Sequence, residues 1–96
     1  MESKELTVII GLVTANQPIE RTKEYLDELA FLVDTAGGKV VKRFMQNLDH
    51  PDSRTYLGSG KMMEVKEYIL DNEIKTIVFD DELSTAQIRN IERILP

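Results

Sequence analysis

Residues 6–13 read Leu-Thr-Val-Ile-Ile-Gly-Leu-Val, an almost unbroken apolar run rich in β-branched side chains. A strand with one wet face alternates apolar and polar residues. A run without alternation fits a strand covered on both faces, as in the interior of a parallel sheet. Parallel neighbours cannot be joined by a tight turn, so crossover helices must lie between the strands.

The following residues supply them. Asn16 or Gln17 is placed to cap a first helix, with Pro18 in its first turn, where a missing N–H costs nothing. Ile19, Leu26, Leu29, Ala30 and Val33 recur at helical spacing, and Gly37-Gly38 closes the helix. Lys39 to Met45 is a second strand, more charged than the first and therefore assigned to a sheet edge. Gln46 to Leu57 holds a run of turn formers and reads as a loop. Gly58-Ser59-Gly60-Lys61 opens a second helix with Met62, Val65 and Ile69 on one face. Lys75 to Phe79 is a third β-branched strand. Ser84-Thr85-Ala86-Gln87 has the spacing of a capping box, and Ile88, Ile91 and Leu95 line a third helix.

The β-α-β-α-β-α order predicts an α/β fold: a small three-layer domain spanning 1–96. Its three-stranded parallel sheet has order 2-1-3, right-handed crossovers and helices on both faces. Ile9, Leu29, Val33, Val65, Ile77 and Ile91 are the expected core. In this order the third strand is an edge, yet it is as apolar as a buried one. It should therefore have a missing neighbour, either further sequence or a partner chain, and self-association through this strand is expected.

Composition removes several function classes. There is no cysteine and a single histidine, His50. Disulfide scaffolds, thiolate zinc sites and cysteine nucleophiles are excluded, and a His-dependent triad has little to build on. No stretch approaches the roughly 20 apolar residues of a membrane span. The polar, acid-bearing start is not expected to be a signal peptide, and a cytoplasmic setting is the expectation. The net charge of −5 conceals an asymmetry. Residues 39–66 carry six basic side chains against three acidic ones, whereas 67–96 carry three against seven. A local basic patch on an acidic protein can touch phosphate without making the whole domain a nucleic-acid binder.

Thr55-Tyr56-Leu57-Gly58-Ser59-Gly60-Lys61 has the flavour of a phosphate loop but not its spacing. One residue separates the glycines, and Met62 stands where a magnesium-binding hydroxyl belongs. A dinucleotide fingerprint fails too, since the first strand-to-helix turn has no glycine. What remains is a turn at a helix N-terminus with basic residues close by. Its open N–H groups attract anions, and Arg54, Tyr56, Ser59 and Lys61 are the candidate RNA or anion contacts. Asp80, Asp81 and Glu82 end the third strand. They can hold magnesium in principle, but acids ahead of a helix are read first as partners of its dipole. His50 reads as a solvated loop residue. No residue is assigned a catalytic, cofactor-binding or metal-ligating role.

Several blocks together match a known pattern. These are Thr35-Ala36-Gly37-Gly38, then Pro51-Asp52, then Thr55 to Lys61, then Ile77-Val78-Phe79-Asp80-Asp81-Glu82-Leu83-Ser84 and Gln87-Ile88-Arg89-Asn90-Ile91-Glu92. In this order the sequence resembles the N-terminal region of the HflX-type GTPases over nearly its whole length. The resemblance implies a cytoplasmic GTP-binding protein that acts on the large ribosomal subunit. GTP and magnesium would then be held by a domain beyond these residues. It also implies that the chain continues into another strand, and that the fragment, lacking GTPase motifs, is a binding module with no cofactor of its own. Some members are thought to bind ATP through this region, for which no nucleotide motif is present here. The alternative is a stand-alone α/β domain that binds a small molecule or nucleotide at the strand carboxyl ends.

Overall fold

The computed structural model describes residues 4–96. Its elements are β1 (Glu5–Val13), α1 (Ile19–Thr35), β2 (Gly38–Asn47), α2 (Ser59–Asn72), β3 (Thr76–Phe79) and α3 (Thr85–Ile94). All pairings are parallel and the order is β2-β1-β3, as the sequence predicts. Strand limits differ from expectation by a residue or two. The largest difference is β2, which continues to Asn47 and shortens the loop behind it.

β1 is buried on both faces. Val8, Ile9 and Ile10 have no exposed surface. Val8, Ile10 and Leu12 point into the main core, where α2 supplies Met62, Val65 and Ile69 and α3 supplies Ile91. Gly11 points the other way, toward α1. A Cβ added there would lie 3.2 Å from both Leu26 and Thr22, so glycine allows the helix to approach the strand closely. Thr22 sits fully buried at this crossing and donates its hydroxyl to the Leu12 carbonyl at 2.7 Å.

The two faces are unequally covered, which corrects part of the expected core. Ile9, Val65 and Ile91 are buried as predicted. Leu29 and Val33 are only half-buried, because α1 lies alone on its face and no second helix closes over its flank. Leu26, 1% exposed, is the apolar residue that α1 buries fully, beside Thr22, while Phe31 and Leu32 remain 66% and 59% exposed. Ile77 is half-buried because β3 lies at the sheet edge.

Helix ends follow local chemistry. Ser84 and Gln87 form the reciprocal capping box, with Gln87 N–H to Ser84 Oγ at 3.1 Å and Ser84 N–H to Gln87 Oε1 at 2.9 Å. At α1 the cap is Pro18 itself rather than Asn16 or Gln17. A tight turn ties Thr14 to Gln17 through two backbone hydrogen bonds. The Gln17 side chain is turned back to the Leu12 carbonyl and Thr22, and so cannot cap. Gly37 adopts φ 93° after α1, and Glu73 takes the left-handed conformation after α2.

Leu26→Ala should destabilise by about 2–5 kcal/mol as a buried cavity, while Leu29→Ala should cost no more than about half of that. Urea unfolding of the two variants checks the order. An equal loss at both positions contradicts the single-helix face.

Candidate nucleic-acid interface

The segment between β2 and α2 carries Arg54 and Tyr56, the first turn of α2 carries Ser59 and Lys61, and the segment's own hydrogen bonds decide where the first two go. Asp52 Oδ1 accepts the N–H of Arg54 at 2.7 Å and of Thr55 at 3.2 Å. These bonds hold the Asp52 carboxyl below its ordinary range. Asp52 and Tyr56 exchange two backbone hydrogen bonds, closing the turn. Thr55 donates its hydroxyl to the Leu57 carbonyl at 2.7 Å. Gln46, at the end of β2, accepts the Gly58 N–H at 2.9 Å.

Two side chains of α3 fasten the turn from across the fold. Gln87 Nε2 donates to the Asp52 carbonyl at 2.8 Å, and Asn90 Nδ2 donates to the Arg54 carbonyl at 3.0 Å. The loop therefore lies hydrogen-bonded to both β2 and α3.

Tyr56 is 3% exposed, with φ 70°. Its ring packs edge-on against Phe79 of β3, centroids 5.4 Å apart. It lies in the main core and presents no face on which a base can stack. Burial pushes its hydroxyl pKa up, with Asp81 and Asp80 adding to the effect. The positive φ turns the chain inward here, a feature that a Thr-Tyr-Leu triplet does not announce.

The other three candidates lie at the surface of this corner. Arg54 is exposed on the pinned turn, and Ser59 is the exposed first residue of α2. Both line a shallow cavity of about 360 Å³ with Asp52, Thr55, Met62, Met63 and Ile94. Lys61 lies on the first turn of α2, half-buried, with its Nζ 2.7 Å from Glu64. α2 begins with Gly58 at its cap, no capping side chain and no acid in its first turn. Its leading N–H groups and partial positive charge thus have no capping side chain to satisfy them.

The acids after β3 behave differently. Asp81 accepts the Glu82 N–H at 2.7 Å, and no group of three or more His, Cys, Asp or Glu side chains is arranged for a metal among the described residues. Burial raises the Asp80 pKa, and Asp81 and Glu28 raise it further. The carboxyl end of β3 is thus acidic, whereas the corner at α2 mixes Arg54 and Lys61 with Asp52 and Glu64. His50 is exposed beside the Pro51 carbonyl.

A family model described as the GTP-binding GTPase N-terminal region matches residues 23–96. The GTPase HflX of Flavobacterium psychrophilum is 56% identical over 91 residues, which is 95% of this chain and 22% of that protein. The chain belongs to the HflX family. The HflX of Lacrimispora saccharolytica is 42% identical over 98% of the chain and 22% of its own length. That of Escherichia coli is 31% identical over 78% of the chain and 18% of its own length. The chain thus spans about a fifth of the length of these HflX relatives. Among the described residues, no helix is long and apolar enough to cross a membrane.

Gln87 both caps α3 and holds Asp52. Gln87→Ala should cost about 1–2 kcal/mol and open the turn. Hydrogen exchange should show the Tyr56 and Gly58 amides losing protection before those of β1. Unchanged protection there means that the turn stands without α3.

Proposed function

We propose that this chain is the ribosome-facing N-terminal binding module of a longer, cytoplasmic HflX-type GTPase. Nucleotide chemistry would be performed outside these 96 residues. The observation that carries the proposal is the family match of residues 23–96 to an N-terminal region, in a chain whose glycine turn lacks the spacing and hydroxyl of a phosphate loop. GTP and magnesium would be held by the remainder of the longer protein. The partner would be the large ribosomal subunit.

The corner at the start of α2 supports an rRNA-facing role. Arg54 and Lys61 flank an uncapped helix N-terminus, an arrangement suited to a phosphate backbone. Ser59 adds a hydroxyl on the same side. Tyr56 supports this corner from within and makes no contact of its own. A stand-alone nucleotide-binding domain is less well supported. The strand carboxyl ends, where such ligands bind in open α/β sheets, carry Asp80 and Asp81, which repel phosphate.

Calorimetry of the chain with GTP and magnesium should give no heat of binding. Micromolar affinity overturns the division of labour proposed here. In a full-length protein carrying this domain, Arg54→Ala with Lys61→Ala should weaken binding to the large subunit. It should also reduce the slope of log affinity against log salt by about 1.5, the share of two phosphate contacts. An unchanged slope removes this corner from the interface.

A further inference from the structure

α2 opens on a charge that does not serve the helix. Its first residues are Ser59, Gly60 and Lys61, so a cation stands where the aligned peptide dipoles leave partial positive charge and a carboxylate is favoured. No acid in that first turn offsets it. The compensating charge comes one turn later, where Glu64 Oε2 lies 2.7 Å from Lys61 Nζ. Even this pair runs in the weaker order, since an acid supports a helix better when it precedes its cation. Helix stability thus gives no reason for a lysine at this position.

The two cations of the corner are in different states. Arg54 is exposed and makes no ion pair among the described residues. The nearby Asp52 carboxylate is held by the backbone N–H groups of Arg54 and Thr55. Lys61 is already paired, its side chain 25% exposed against 59% for Glu64. A phosphate that approaches Lys61 meets a carboxylate in the place it would take. Surface pairs of this kind are weak and screened by salt, so the carboxylate can be displaced.

We propose that Glu64 is an internal competitor for phosphate at Lys61, so that this cation engages RNA only after Arg54 has done so. The inference rests on the rRNA-facing reading of the corner. Arg54 is open and makes the first contact. That contact holds the rest of the strand close to Lys61. The raised local concentration of phosphate then displaces a carboxylate that a free anion displaces poorly. Glu64 has no second ion pair among the described residues and is the more exposed partner, so it turns into water while α2 stays intact. The partner this suits carries closely spaced phosphates, as a nucleic-acid backbone does. A lone phosphate or a nucleotide meets Lys61 already neutralised.

In a full-length protein carrying this domain, Glu64→Gln should tighten binding to purified large ribosomal subunits about two- to fivefold at low salt, and the gain should shrink as salt rises. Glu67→Gln removes the same charge from a side chain of α2 that makes no ion pair among the described residues, and should gain less. In the Lys61→Ala background Glu64→Gln should gain nothing, because the pair it breaks is already gone. Circular dichroism should be unchanged in each variant. If Glu64→Gln binds as the wild type does, gains as much without Lys61, or gains no more than Glu67→Gln, the competitor is disproved while the corner stands. If Arg54→Ala with Lys61→Ala leaves affinity and salt slope unchanged, the rRNA-facing reading itself fails, and this inference with it.

Discussion

The structure depends on the saturation of β1. A strand with a neighbour on each edge and helices on each face meets no water, so each of its polar groups needs a partner inside the protein. β2 pairs with one edge from Glu5 to Val13, and β3 with the other over Thr7–Ile10. Where β1 outruns its shorter neighbour, side chains take over. The Leu12 carbonyl accepts from Thr22 at 2.7 Å and from Gln17 at 2.9 Å, while on the β2 edge the Val13 carbonyl accepts the backbone N–H of Leu48 at 3.0 Å. The placement of α1, the turn that precedes it and the exit of β2 are thus three answers to one requirement. No buried side-chain nitrogen or oxygen lacks a partner among the described residues.

How far the sequence reveals the fold depends on whether the information is local. The run Leu6–Val13 announces a doubly covered strand because burial on both faces removes alternation. The capping box at Ser84 is legible because both partners lie within four residues. Leu29 is harder. Helical periodicity shows which residues share a face but not whether a second helix will cover its flank. Pro18 is a smaller case of the same kind: its place depends on Gln17 being drawn away to Leu12.

The candidate site is less legible still. Arg54, Ser59 and Lys61 lie at the surface near the start of α2, as their spacing suggests. Tyr56 does not: the turn closed by Asp52 is local, but the partners that bury the ring are distant in sequence. Its partner is Phe79, and its positive φ is maintained by a turn held from α3. Gln87 and Asn90 carry no sequence signal for their second role. A glutamine at the third position of a helix is fully accounted for by the cap. Only the approach of α3 to the loop gives its amide nitrogen another acceptor.

That shared amide has a consequence for the order in which the molecule takes shape. Gln87 lies 35 positions after Asp52, in the last element of the chain. During synthesis β1, α1 and β2 leave the ribosome first, and α2 follows with its start held only from β2, through Gln46. The corner gains its bonds from Gln87 and Asn90 only once α3 has emerged and formed its first turn. The surface proposed to meet the ribosome is therefore among the last parts of this fold to be finished as the protein leaves one.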